Sequence, residues 1–125
     1  MVRARVIMIA DSFMSNSDQT ERSTGPREIK REDELHRIIN RHRRVLVEFY
    51  ADWCMPCRDM KPMVRDVAQE AANPVLSIDV EAAAPIAAKH DVDAVPTFLL
   101  FQNGELIERL TGIQQKTTLT TLLAD

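Results

Sequence analysis

Cys54 and Cys57 are the only two cysteines of the chain, and two residues separate them in Trp53-Cys54-Met55-Pro56-Cys57. A pair this close cannot staple distant parts of a fold, so its use must be chemical. Two thiols at this spacing, where a strand gives way to a helix, suit dithiol–disulfide exchange. The helix N-terminus offers Cys54 free amides and the positive end of the dipole, which favour thiolate, the species that attacks a disulfide. Cys54 is therefore the expected nucleophile. Cys57, nearly one turn deeper, is placed to attack the resulting mixed disulfide and release the reduced substrate. Pro56 fits the first helical turn, where a missing amide costs nothing, and stiffens the short loop.

Glu48 is the one carboxylate in the run Val45-Leu46-Val47-Glu48-Phe49-Tyr50-Ala51. By strand alternation it shares a face with Leu46 and Tyr50, where desolvation raises a carboxyl toward the range useful for proton transfer. It is the candidate base and acid for Cys57. The competing use of C-x-x-C is half of a metal site, which needs two further ligands. The only histidines are His36, His42 and His90. On a helix His36 and His42 stand about 120° apart, so they do not converge on one ion. His42 is expected instead to cap a buried stripe and His90 a helix end. Neither a metal nor an organic cofactor is expected.

The elements that must hold these groups follow from patterning. Val45 to Ala51 is β-branched and aromatic enough for a central strand covered on both faces. Before it, a short strand over Arg27 to Lys30 precedes a helix that opens on Glu32, Asp33 and Glu34. Leu35, Ile38, Ile39 and His42 form its apolar face, and Arg41, Arg43 and Arg44 gather at its C-terminal end. After the cysteines, Met60, Val64, Val67, Ala68 and Ala71 mark an amphipathic helix from Pro56 to Ala72, with Pro62 expected to bend it. A strand over Val75 to Val80 follows, then a short helix over Pro85 to His90. Thr97 to Phe101 and Leu106 to Leu110 flank Asn103-Gly104, a pair that tolerates positive φ and so predicts a tight antiparallel hairpin. A last helix, Gln114 to Ala124, presents Leu119, Leu122 and Leu123. The expected fold is α/β, a mixed sheet with helices on both faces.

The chain of 125 residues is 45% hydrophobic and 28% charged, which fits one domain. With 16 basic and 19 acidic side chains the formal charge is −3, so nucleic acid is not an expected partner. Three glycines are too few for a phosphate-cradling loop. No apolar stretch exceeds five residues, far short of the roughly 20 that cross a bilayer, so no membrane partner is expected. Arg3 and Arg5 precede an apolar run, Val6 to Ala10, too short for a secretory leader, so the expected location is cytoplasmic. Residues 1–24 read as an N-terminal extension whose polar part, Asp11 to Thr24, resembles a linker, and residues 25–125 as the domain.

The segments Phe49 to Cys57, Pro62, Val95-Pro96-Thr97, Phe101-Gln102-Asn103-Gly104-Glu105 and Gly112, in this order, resemble the thioredoxin family. The resemblance spans about Pro26 to Ala124. It implies the thioredoxin fold, a cis Val95-Pro96 bond facing the cysteines, and a substrate groove shaped by Trp53, Met55, Pro56, Val95, Pro96 and Gly112. It further implies a monomeric protein-disulfide reductase acting on disulfide-containing proteins and recharged by a thioredoxin reductase or another dithiol donor. Met55 stands where the family has Gly, Glu48 where it has a buried Asp, and Tyr50 where Trp is frequent. Residues 1–24 have no counterpart. An oxidase or isomerase variant of the same chemistry, and a binding or holdase module with a redox-switch disulfide, are the alternatives.

Overall fold

The computed structural model describes residues 25–124. The expected N-terminal extension, residues 1–24, lies outside them. The elements run β1 (Arg27–Glu28), α1 (Glu32–Arg41), β2 (Arg44–Tyr50), α2 (Met55–Glu70), β3 (Val75–Asp79), α3 (Ala84–Lys89), β4 (Thr97–Gln102), β5 (Glu105–Thr111) and α4 (Lys116–Leu123). One five-stranded sheet has the order β1-β3-β2-β4-β5. β1, β3 and β2 are mutually parallel, while β4 runs antiparallel to β2 and to β5. The central strand β2 is buried from Val45 to Phe49, as its continuous apolar run predicts.

Alternation along the strands sends side chains to two cores. Val45, Val47 and Phe49 of β2, with Leu99 and Phe101 of β4, pack against Leu35, Ile38 and Ile39 of α1 and Ile86 of α3. Leu46 of β2, with Phe98 and Leu100 of β4, meets Met60, Val64 and Val67 of α2 and Leu119 and Leu123 of α4. The mixed sheet therefore carries helices on both faces. Glu48 and Ser77 alternate onto the second face and point at α2, which is what brings a carboxyl beneath the cysteines.

Two local expectations need correction. His42 does not extend the apolar stripe of α1, because the helix stops at Arg41 and His42 turns extended, with φ −125° and ψ 148°. It is exposed. Of the three arginines expected to offset the α1 dipole, only Arg41 lies in its last turn. Arg44 begins β2, and its Nη1 donates instead to the Leu122 carbonyl of α4 at 2.7 Å. Asn73 Nδ2 donates to the neighbouring Leu123 carbonyl at 2.7 Å, so two side chains satisfy the end of α4. His90 ends α3 as expected.

The β4–β5 hairpin turns on Asn103 and Gly104 with φ of 52° and 87°, the paired positive values its dipeptide predicts. A Cβ at Gly104 would lie 2.6 Å from Asn40 Oδ1. Asn40 is itself engaged, its Nδ2 donating to the His36 carbonyl at 2.9 Å. Gly104→Ala should therefore cost about 1–3 kcal/mol in urea unfolding, from the left-handed backbone and the contact together. A midpoint equal to wild type would show that this turn relaxes freely.

Candidate active site

β2 ends at Tyr50, and a turn in which the Cys54 N–H donates to the Ala51 carbonyl at 3.2 Å delivers the chain to α2. Cys54 is the N-cap of that helix. Its Sγ accepts the Cys57 N–H at 3.1 Å, and its carbonyl accepts the Arg58 N–H, so the sulfur meets the free amides of the first turn. Cys54 and Cys57 are joined as a disulfide with Cα atoms 5.3 Å apart. Both are buried, in contact with Ala51 and with half-buried Tyr50, Val80 and Val95. Among the described residues no cluster of His, Cys, Asp and Glu could hold a metal.

The residues expected to shape a substrate groove fall into two sorts. Trp53 and Met55 are 63% and 59% exposed, although both are large and apolar. The Trp53 ring is pinned at its edge, its Nε1 donating to Glu81 Oε2 at 2.7 Å. Pro56 lies exposed in the first turn of α2. Val95-Pro96 is cis, Val95 packs toward the cysteines and Pro96 is buried. Gly112, at φ 91°, donates its N–H to the Pro96 carbonyl at 2.8 Å. The Thr97 hydroxyl donates to the Ala94 carbonyl at 2.7 Å and braces the same loop from the other side. The residue after Gly112, Ile113, is 67% exposed and escaped the sequence reading, since no periodicity marks a lone apolar residue in a loop.

Glu48 is only 6% exposed. A cavity of about 240 Å³ lies between α2 and the β1–β3–β2 side of the sheet, and Glu48 and Cys57 both line it. Burial pushes the Glu48 carboxyl up to about 7, opposed by the Lys61 cation and helped by the Glu28 anion. A carboxyl raised this far can take up and give back a proton near neutrality. Lys61 was not singled out from the sequence, yet a signal was there: it stands four residues after Cys57, on the same helical face.

The family model described as Thioredoxin matches residues 14–125. A thioredoxin of Mycoplasmoides gallisepticum is 32% identical over 91 residues, covering 72% of this chain and 91% of that protein. A thioredoxin of Pyropia yezoensis is 35% identical over 88 residues, 69% of this chain and 82% of that one. The bifunctional thioredoxin reductase/thioredoxin of Mycobacterium leprae is 33% identical over 90 residues, 70% of this chain but 20% of that protein. Among solved structures, a mutant thioredoxin from Halobacterium salinarum superposes with a TM-score of 0.76 at 34% identity, covering 81% of this chain and 89% of that one. The oxidized mitochondrial thioredoxin 3 of Saccharomyces cerevisiae gives 0.72 at 28% identity, covering 81% and 95%. Agreement across this much of the sequence and of the sheet, around a joined cysteine pair at the head of a helix, makes this protein a member of the thioredoxin family, whose activity is dithiol–disulfide exchange with proteins.

Proposed function

We propose that the two cysteines divide the reduction of a protein disulfide between them, with Glu48 carrying the proton of the second step. The Cys54 thiolate attacks one sulfur of the substrate disulfide, forming a mixed disulfide as the substrate S–S bond breaks and its departing thiolate gains a proton from solvent. Cys57 then gives its proton to Glu48 and attacks Cys54 Sγ. The electron pair leaves on the second substrate sulfur. Two electrons have passed to the substrate, and the cysteines end joined, as they stand here.

The observation that carries this assignment is that Cys57 and Glu48 line one shared cavity, which joins the deeper sulfur to a carboxyl poised near neutrality. The exposed apolar surface of Trp53, Met55 and Ile113 supports docking of an extended substrate segment against Val95-Pro96. The exchange chemistry runs on the cysteine sulfurs without an added cofactor. A thioredoxin reductase or another dithiol donor would recharge the disulfide, a reading supported by the Mycobacterium leprae relative, whose name joins the two activities. A reducing compartment such as the cytoplasm suits this cycle, because it keeps a donor pool available.

Glu48→Gln tests the second step. In rapid-mixing experiments with a mixed-disulfide substrate at neutral pH, release should slow by roughly 10–100-fold while the initial attack is little changed. Release at the wild-type rate would make Glu48 a structural residue.

A further inference from the structure

The residues opposite Glu48 form a row that crosses three strands. Glu28 of β1 is in register with Ser77 of β3, and Ser77 is in register with Glu48 of β2. Register partners in adjacent parallel strands present side chains on the same face, so two carboxyls flank one hydroxyl, with backbones about 10 Å apart across two strand spacings. Glu28 is fixed there. Its Oε1 accepts the Tyr50 hydroxyl at 2.9 Å and the Ser77 hydroxyl at 3.1 Å. Lys61 of α2 lines the same cavity from above.

Resting on the proton-carrying role of Glu48, we propose that Glu28 and Lys61 are positioning residues for the release step: an anion held by two hydroxyls and a cation, both exposed and on opposite walls of the cavity, acting on Cys57 through the Glu48 carboxyl. An anion held across the row disfavours a charged Glu48 and keeps its proton on, while the cation above favours the charged form. The two influences oppose each other, and each appears with that sign at Glu48, behind the larger effect of burial. Tyr50 reports the same anion from the other side: burial first, then its hydrogen bond to Glu28, push the phenol well above its ordinary range, so it remains a donor.

Other charged groups on the walls belong to the account. Asp52 follows β2, and Arg58 and Arg65 share α2 with Lys61. From β3, Ser77 lines the cavity and Asp79 lies two residues along on the same face, in register with Tyr50, while β4 places the apolar Phe98 beside Glu48. None of these shows as a cause of the displacement at Glu48, whereas Lys61 and Glu28 do. Glu28 and Lys61 therefore form the adjustable part of the site.

The test uses Glu28→Gln and Lys61→Gln in the full chain. Glutamine keeps an acceptor for the Tyr50 and Ser77 hydroxyls at position 28, so the change removes charge and leaves the hydrogen bonds. The Glu48 carboxyl is titrated by carbon-13 NMR in the oxidised protein, and the pH midpoint of mixed-disulfide release is measured beside it. Glu28→Gln should lower both midpoints and Lys61→Gln should raise both, each by roughly half a pH unit. Glu48 titrating as in wild type in both variants, or moving the same way in both, would overturn the proposal. If the carboxyl midpoints move in opposite directions but release does not follow, the proton-carrying role of Glu48 fails and the proposal falls with it. The NMR reading thus separates a failure of the charge arrangement from a failure of the mechanism beneath it.

Discussion

Cys54→Ser is expected to bring the dithiothreitol-driven reduction of insulin down to the rate measured with no protein present. The serine hydroxyl does not ionise near neutrality and is a poor nucleophile toward sulfur, so the helix amides that favour a thiolate at this position have no anion to stabilise. Geometry makes the loss asymmetric. Cys54 Sγ sits at the N-cap and accepts the Cys57 N–H, while Cys57 lies inside the first turn and faces the Glu48 cavity. Cys57→Ser should therefore still attack and then stall, leaving substrate attached through Cys54 as an adduct that survives a non-reducing gel and dissolves on adding dithiothreitol. Retention by Cys54→Ser of more than about a tenth of the wild-type rate, or trapping by Cys54→Ser and not by Cys57→Ser, would reverse the assignment of the two sulfurs.

What could be read before the fold was known divides along a physical line. Features set by near neighbours were legible: the buried run of β2, the apolar spacing of α2 and the positive-φ pair at Asn103-Gly104 each depend on residues a few positions apart. Pro56 and the cysteines were placed correctly because a helix start is a local event. The row Glu28–Ser77–Glu48 was hidden, since it depends on the register of β1 with β3, whose partners stand far apart in the chain. Register across such a distance is fixed by packing of both faces, and the two-residue β1 carries almost no alternation to announce it. His42 failed for a related reason. Its spacing matched the α1 stripe, but spacing says nothing about whether the backbone is still helical at that position, and the chain had already turned toward β2.

The largest stability effect should come from the same carboxyl that we propose carries the proton of the release step. Burial raises Glu48 from its ordinary 4.5 to about 7 in the folded protein, so between these values the folded state holds a proton that the unfolded chain has released. Stability therefore falls as pH rises through this window, and the loss is complete above the folded value; below 4.5 both states are protonated and the group contributes nothing. The displacement corresponds to on the order of 3 kcal/mol. Glu48→Gln cannot ionise, so its stability should lack this decline. Its buried amide adds a cost that does not vary with pH, which makes the comparison of slopes more telling than either absolute value. Urea unfolding of both oxidised proteins, from mildly acidic to mildly alkaline pH, should show curves that diverge in favour of the variant as pH rises to about 7 and run parallel above it. Parallel curves would mean that Glu48 titrates alike folded and unfolded, and that the carboxyl beneath Cys57 is neither desolvated nor tuned. Divergence would instead identify a buried carboxyl that lowers stability at working pH, a cost that a purely structural core would have no reason to retain and that the proposed acceptance of the Cys57 proton would explain.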